Sequence, residues 1–326
     1  MKCMTSILQV LFLISACLAT LSPPSTDKKS QKNVKPQEGA RKNNVLDRKL
    51  VVETPLVKDI LKYHATYHHD VSLRNFKNTV LGYVTPWNNK GYDVAKTWSP
   101  KFNFISPVWL QIKRQTPNIY IITGLHDVDH AWMKTIRQRG AESSLRSLEM
   151  SEQNLSLILV YPPFRGYPSD EFFIQAFNEI HPYVEAVSVM TYDFSNPQKP
   201  GPNAPIYWVR LCIEKLIDND DNPSKRSKIL LGLNFYGNSY TANGGGPIVG
   251  TEYIELLKNA KNNQVLQYNN NTAENYIEIR TSQGAKKIFY PSLYSIQKRL
   301  ELATEYGTGV AIWEIGQGLD YFYDLF

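Results

Sequence analysis

Three segments in the C-terminal half place aromatic and hydrogen-bonding side chains directly after an apolar run. Residues 190–193 read Met-Thr-Tyr-Asp, residues 229–237 read Ile-Leu-Leu-Gly-Leu-Asn-Phe-Tyr-Gly, and residues 313–317 read Trp-Glu-Ile-Gly-Gln. An aromatic ring can stack on the apolar face of a sugar, while carboxylate and amide groups bind its hydroxyl edge. This combination suits a sugar better than a phosphate or a hydride donor, so it predicts a carbohydrate-binding site.

The candidate ligand-binding residues all lie at or just beyond the ends of predicted strands: Tyr83, Trp87, Met190, Tyr192, Asp193, Asn234, Tyr236, Trp313 and Glu314. Several of them have a structural alternative. Trp313 could fill the mouth of a barrel, Asp193 could cap a helix, and Glu314 could bind backbone groups. Asn234 and Tyr236 could instead hold a loop in place.

Residues 126–130 combine two histidines with two aspartates, and both residue types are common metal ligands. Asp127, however, is suited to cap the helix predicted after it, and no cysteine or third histidine lies nearby. We therefore expect no metal site. The chain also contains no phosphate-binding loop and no G-x-S-x-G motif, so we expect no cofactor and no serine hydrolase of the α/β type.

Six apolar runs are typical of buried strands: residues 79–87, 102–110, 155–161, 184–193, 228–236 and 308–314. Helical patterns lie before and between them, over residues 53–67, 129–139, 170–180, 207–217 and 292–306. Strands and helices in alternation predict an α/β fold with a parallel sheet and right-handed crossovers. The carboxyl ends of such strands meet at one end of a barrel, which would bring the candidate residues together.

The number of strands predicts an incomplete (β/α)8 barrel of the TIM type. A complete barrel has eight strands and usually takes about 250 residues, whereas residues 78–318 without the segment 244–290 amount to 194 residues. The missing units fall near residues 141–154, where a polar stretch replaces further strands. The segment 244–290, with its glycine run and alternating stretches, predicts a small α+β insertion before the last strand.

The first 76 residues are predicted to lie outside the barrel, which is assigned to residues 77–326. Residues 1–19 have the basic start, short apolar core and small residues of a secretory signal. The signal predicts a secreted or lysosomal protein, and no run is long enough to serve as a transmembrane segment. Residues 20–76 are interpreted as a basic, disordered leader followed by a short helix.

The net charge of +6 arises before residue 51, because residues 51–326 hold 27 basic and 27 acidic side chains. A neutral folded part argues against a nucleic-acid partner. Cys212 is the one cysteine beyond the signal, and we expect it to be buried on a helix. Asn270 and Asn154 stand in N-glycosylation motifs, and Asn270 is the better candidate because Asn154 adjoins a predicted strand.

Residues 190–193 resemble the sixth-strand motif of glycoside hydrolase family 18, the chitinase family, and Trp313 is similar to the tryptophan that ends its eighth strand. Residues 81–83 with Trp87 resemble its first strand. The chitinase domain-containing members of the family are the most similar, through residues 124–129, 200–205, 228–237 and 313–323. The resemblance implies a site in which Met190, Tyr192 and Asp193 hold an N-acetyl group above the ring of Trp313.

Catalysis in this family uses a fourth-strand motif, D-x-x-D-x-D-x-E, whose glutamate protonates the leaving oxygen while the substrate's N-acetyl group acts as nucleophile. This sequence contains no such motif, and an acid catalyst must lie within hydrogen-bond reach of its target. We therefore expect no catalytic residue. The resemblance then implies a non-catalytic binder of chitin oligosaccharides, other N-acetylglucosamine-type glycans or bacterial polysaccharide. It also implies an innate-immune or lysosomal role and a scavenger-type receptor as partner.

Two alternatives stay open at this point. The chain could hydrolyse chitin-type substrates with an acid from elsewhere, for which Glu314 is the candidate. It could instead be a defective, truncated isoform, because a parallel barrel that lacks two strands leaves open edges. The sequence does not indicate an oligomeric state.

Overall fold

The computed structural model describes residues 34–116, 119–140, 142–143, 158–167, 169–217, 222–282 and 284–326. The predicted signal, residues 20–33 of the predicted leader and the glycosylation candidate Asn154 lie outside these residues. The strand predicted over residues 155–161 is described from residue 158 onward.

The strands of the described residues are, in chain order, β1 Glu38–Arg41, β2 Ala65–His68, β3 Val80–Val84, β4 Phe104–Pro107, β5 Gln111–Thr116, β6 Ile119–Thr123, β7 Glu142–Ser143, β8 Ile158–Tyr161, β9 Ala186–Val189, β10 Ile229–Asn234, β11 Gly237–Thr241, β12 Gly244–Ile248, β13 Gln267–Asn269, β14 Glu274–Thr281, β15 Gly284–Phe289 and β16 Gly309–Trp313. The α-helices are α1 Val57–Tyr63, α2 Asn89–Trp98, α3 His130–Gln138, α4 Ser169–Ile180, α5 Ile206–Ile217, α6 Pro223–Ser227, α7 Gly250–Leu257 and α8 Leu293–Tyr306.

The central sheet is parallel and has the strand order β7-β4-β3-β16-β10-β9-β8. It contains all six predicted core strands, as β3, β4, β8, β9, β10 and β16, so that prediction is confirmed. β16 pairs with β3, the first of these strands, with Ala311 opposite Leu81. The first and last strands lie side by side in a barrel, and the described sheet ends at β7 and β8 without closing. The fold is the predicted incomplete (β/α)8 barrel.

Side chains at the carboxyl end of the sheet face the interior of the barrel. Tyr83 of β3 and Ala311 of β16 belong to a small buried cluster there, and Trp313 packs against it. Because side chains alternate along a strand, Trp313 points to the same side as Ala311. The last residue of β16 therefore brings its ring to the mouth of the barrel interior.

The predicted helices α3, α4, α5 and α8 match the structure within one residue at each end. The prediction of a helix over residues 53–67 is wrong at both ends, since α1 covers Val57–Tyr63 and Ala65–His68 forms β2. β2 pairs in parallel with β1, a distant partner that the local pattern does not reveal. Asp129, rather than Asp127, caps α3 by accepting a hydrogen bond from Trp132 N at 2.9 Å.

Residues 34–50, which were predicted to belong to a disordered leader, are folded against the rest of the protein. Val45 is fully buried, and its N–H donates to Asp324 Oδ2 at 3.1 Å. The other oxygen of Asp324 accepts from His68 N at 2.7 Å, and Arg48 lies 3.8 Å from the same carboxylate. The leader prediction is wrong here because composition does not reveal that a buried valine, a strand pairing and an ionic contact anchor the segment.

The segment between β10 and α8 contains the predicted antiparallel strands and helix. Five strands form a second sheet with the order β12-β11-β15-β14-β13, and α7 lies between β12 and β13 in the chain. The hairpin of β14 and β15 closes at Gly284, whose left-handed φ of 108° favours glycine. The sheet begins at Gly237, earlier than the predicted residue 244, because the polar strand β11 has no apolar pattern.

Cys212 is buried on α5, as predicted. Asn270 is exposed in the turn between β13 and β14, an accessible position for glycosylation. Among the helices that the structure describes, none combines the length and the apolar composition needed to cross a membrane.

Candidate functional site

A cleft of about 530 Å³ opens beyond the carboxyl ends of β9, β10 and β16, with strands β11 and β12 along one side. Three predicted site residues line it, namely Asp193, Tyr236 and Trp313. Parallel strands bring their carboxyl ends to one edge, so three motifs that are distant in sequence meet here. The volume lies within the range of about 300–1,000 Å³ that is typical of small-molecule sites.

Trp313 supplies an aromatic wall of the cleft. Its ring lies 5.3 Å from the ring of Tyr83, at an interplanar angle of 57°. Tyr83 is buried under the cleft, and burial raises the pKa of its hydroxyl to about 12. The contact with this fixed neighbour restrains the Trp313 ring, which remains partly exposed. A restrained and partly exposed indole is suited to stack on an apolar ligand face.

Asp193 and Tyr236 form a polar pair on another wall. The Tyr236 hydroxyl donates to Asp193 Oδ1 at 2.5 Å. The pKa of Tyr236 is raised, first by burial and then by the Asp193 carboxylate, so the phenol stays protonated and remains a donor. Asp193 has a left-handed backbone with φ of 59°, which turns the chain away from the end of β9. Its carboxylate is exposed to the cleft.

Four predicted residues lie beside the cleft without lining it, namely Tyr83, Met190, Tyr192 and Asn234. Asn234 Nδ2 donates to Tyr236 O at 2.8 Å, so the amide holds the chain in place, as its structural alternative states. Tyr192 is buried and contacts the Tyr236 ring edge-on at 6.2 Å. Burial, followed by the neighbouring Tyr83 and Asp193, raises the pKa of Tyr192. Met190 is half-buried and packs on the main core. These side chains support the lining residues.

The other two predicted residues lie away from the cleft. Glu314 is fully buried, and its carboxylate accepts hydrogen bonds from Gly316 N at 3.0 Å and from Asn88 Nδ2. Burial raises the pKa of Glu314, although both donors oppose the shift. Glu314 thus caps the short 3-10 helix Ile315–Gln317, which is the backbone role of its structural alternative. Trp87 is 70% exposed in the chain after β3.

Sequence reasoning missed three lining residues that carry amide groups, Asn196, Asn238 and Gln317. Asn238 continues the alternation that begins with Asn234 and Tyr236, but it lies on β11, which the sequence did not predict. Gln317 ends the third segment, residues 313–317, and was passed over in favour of Trp313 and Glu314. The alternation and the motif boundary were the signals that could have found Asn238 and Gln317.

A metal site is not formed by the part of the chain that the structure describes. No group of three or more histidine, cysteine, aspartate or glutamate side chains comes together there. His126 Nε2 lies 3.6 Å from Asp127 Oδ1, and both side chains are exposed to solvent. A second groove, of about 690 Å³, lies against α7 and holds none of the predicted site residues.

The sequence profile described as Glycosyl hydrolases family 18 matches residues 133–318, which is more than half of the chain. This match covers all three strand ends that form the cleft and the chain between them. The chain belongs to glycoside hydrolase family 18.

Solved structures of low sequence identity share the fold. A chitinase from Chromobacterium violaceum ATCC 12472 is 15% identical, with a TM-score of 0.58, over 76% of this chain and 98% of that chain. A chitinase from Cycas revoluta in complex with (GlcNAc)3 is 14% identical, with a TM-score of 0.56, over 76% of this chain and 97% of that chain. The spore cortex-lytic enzyme SleL of Bacillus cereus is 15% identical, with a TM-score of 0.55, over 76% of this chain and 73% of that chain.

Proposed function

We propose that this protein binds N-acetylglucosamine-type saccharides in the cleft at Trp313 and does not hydrolyse them. One observation carries the proposal: the partly exposed ring of Trp313 and the hydrogen-bonded pair Asp193–Tyr236 face one cleft. A sugar ring has an apolar face to place on the indole and hydroxyl groups to place on the carboxylate.

The geometry supports a specific division of roles. The Tyr236 hydroxyl donates its hydrogen bond to Asp193 Oδ1 and so orients the carboxylate. The exposed carboxylate can still accept hydrogen bonds from sugar hydroxyls. Such bonds to a charged acceptor are among the stronger ones, worth about 1.5–3 kcal/mol. Trp313 would contribute through stacking and removal of apolar surface from water.

The positions and hydrogen bonds of the acidic residues support the absence of hydrolysis. The sequence has no D-x-x-D-x-D-x-E motif. Glu314, the candidate acid of the alternative hypothesis, is buried and bonded to Gly316 N rather than facing the cleft. Asp193 is the one carboxylate among the described lining residues, and it already accepts from Tyr236. A proton donor aimed at a glycosidic oxygen is therefore lacking from the described cleft.

The choice of ligand draws on the relatives as well as on the cleft. The solved relatives include chitinases, one of them in complex with (GlcNAc)3. We further propose that the chain belongs to the chitinase domain-containing members of the family, which its motifs at residues 124–129 and 200–205 resemble. Passage through the secretory pathway, glycosylation at Asn270, binding of bacterial polysaccharide and a scavenger-type receptor as partner are proposals on the same basis.

A glycan array that carries chitin oligosaccharides and bacterial polysaccharides tests the binding. We expect signal from the wild-type protein and at least about a tenfold loss for Trp313→Ala, because a large aromatic contact disappears. Tyr183→Ala is the matched control, since Tyr183 is an aromatic residue that is 85% exposed ahead of β9, at the opposite end of the barrel from the cleft. Equal binding by all three proteins, or no binding by the wild type, would refute the site.

The fold of the solved chitinases favours hydrolysis as a second candidate function. Release of product from a chromogenic chitobioside, abolished by Glu314→Gln, would support that alternative. We expect no release from the wild-type protein.

A further inference from the structure

We propose that the buried ion pair Glu274–Arg299 and Asn203 are positioning residues, which hold Asp193 in the conformation that binds saccharide. The inference deepens the proposed function and rests on it for its effect on affinity. None of these three side chains lines the cleft, so their contribution acts through the lining pair Asp193–Tyr236, and Asn203 contacts both members of that pair.

The first step is the contact between Asn203 and the backbone at Asp193. Asp193 N donates to Asn203 Oδ1 at 2.6 Å, and Phe194 N donates to Asn203 O at 2.8 Å. Asp193 has a left-handed φ of 59°, which is unfavourable for an L-residue and persists only where the surroundings enforce it. Asn203, which is 1% exposed, supplies this enforcement from both its side chain and its backbone.

In the second step, Glu274 binds the loop that carries Asn203 through two hydrogen bonds. Glu274 Oε2 accepts from Asn203 N at 2.9 Å, and Oε1 accepts from Ala204 N at 2.5 Å. Two consecutive backbone donors on one carboxylate fix the loop without regular secondary structure. Since Glu274 is the first residue of β14, the loop is tied to the second sheet.

The third step is the anchor of Glu274 itself. Arg299 of α8 lies 3.2 Å from Glu274 Oε1 and is 4% exposed. Its guanidinium also donates to Ala204 O, to Ala273 O at 2.9 Å and to Ser295 O at 2.8 Å. A buried charge pair with this many partners is rigid, and removal of one member leaves the other uncompensated. α8, the second sheet and the loop thus meet at one fixed point.

The chain of contacts ends at the pair that faces the cleft. From Arg299 it passes through Glu274 to Asn203, and from Asn203 to Asp193. Asp193 then accepts from the Tyr236 hydroxyl at 2.5 Å. A purely structural role for the ion pair would affect stability and leave the Asp193–Tyr236 geometry unchanged, so the two roles can be separated.

Titration with chitotetraose separates them through a double-mutant cycle. Asn203→Ala should weaken binding about fivefold to tenfold, the loss of one hydrogen bond. The same change should reduce affinity by a smaller factor in an Asp193→Gly background, where glycine keeps the left-handed backbone and the carboxylate is gone. Equal losses in both backgrounds would overturn the proposal.

Glu274→Gln provides a second route, with Asp324→Asn as matched control. Asp324 is also a buried carboxylate that accepts two backbone N–H groups and lies near an arginine. Neither Asp324 nor these partners line the cleft. We expect both variants to lose stability and Glu274→Gln alone to lose affinity. Equal affinities of the two variants would contradict a positioning role.

A ligand-free readout keeps this proposal distinguishable from the proposed function. In protein labelled with ¹³C-tyrosine, the ring signal of Tyr236, assigned with Tyr236→Phe, should shift in Glu274→Gln and stay in place in Asp324→Asn. An unchanged signal in Glu274→Gln overturns the positioning role even if the wild-type protein binds no oligosaccharide. Absence of wild-type binding alone would overturn the proposed function.

Discussion

The two acidic residues that adjoin the aromatic residues of the site have opposite environments. Asp193 is exposed and accepts from a phenol, whereas Glu314 is fully buried and accepts from a backbone N–H. In the sequence the two residues look alike, because each directly follows an aromatic residue near a strand end. Only the backbone turn at Asp193 and the 3-10 helix after Glu314 decide which carboxylate faces the cleft.

The hydroxyl of Tyr236 provides a residue-scale test of the polar pair. Tyr236→Phe removes the bond to Asp193 Oδ1 and should weaken chitotetraose binding about fivefold to tenfold in a calorimetric titration, since the carboxylate loses its orienting donor. Tyr240→Phe is the matched control, because the buried Tyr240 hydroxyl has no hydrogen-bond partner among the residues that the structure describes. A Tyr240→Phe loss as large as that of Tyr236→Phe would contradict the assignment.

The buried carboxyl of Glu314 gives a prediction about pH. Burial raises its pKa above the ordinary value, so the folded state binds this proton more tightly than the unfolded state does. The stabilising contribution is complete below the unfolded pKa of about 4.3 and is lost as pH rises through the folded pKa. Glu314→Gln cannot titrate.

The free energy of unfolding of the wild type minus that of Glu314→Gln should therefore fall as the pH rises above the unfolded pKa of about 4.3. Urea unfolding at stepped pH measures this difference, in which the titration of other groups cancels to first order. A difference that stays constant or rises with pH would contradict a raised pKa of Glu314 in the folded state.

At the scale of elements, the sequence predicts best what short-range patterns determine. The strands β3, β9 and β10 are buried apolar runs, and α3, α4, α5 and α8 have clear helical periods. The strands β1, β2 and β11 are polar or short, and each is stabilised by a partner that is distant in the chain. Pairing between distant segments is not visible in a short window of sequence. The sequence therefore did not predict the whole second sheet or the folding of residues 34–50.

The folding of residues 34–50 against the rest of the protein can be tested with two neighbouring substitutions. Val45→Asp would bury an unpaired carboxylate beside Asp324 and should destabilise the fold by at least about 3 kcal/mol. Leu46→Asp is the matched control, since Leu46 is 42% exposed and the change should cost within about 0.5 kcal/mol. Urea unfolding measures both. Equal and small effects would mean that residues 34–50 behave as the solvated leader that composition suggested.

The whole molecule combines an unclosed barrel with an intact carboxyl-terminal cleft. The described sheet ends at β7 and β8, while β9, β10 and β16, which form the cleft, pair without interruption. The incomplete barrel could be predicted by counting strands and residues. The cleft itself could be predicted only in part, since Asp193, Tyr236 and Trp313 follow from strand ends but Asn238 depends on the second sheet.

The central claim is that this cleft holds a chitin-type saccharide and leaves its bonds intact. Calorimetric titration of chitotetraose, followed by mass spectrometry of the same sample after prolonged incubation, tests both parts at once. We expect saturable binding that requires Trp313 and a recovered tetrasaccharide of unchanged mass. Shorter oligosaccharides in the sample would contradict the account, and so would the absence of measurable binding.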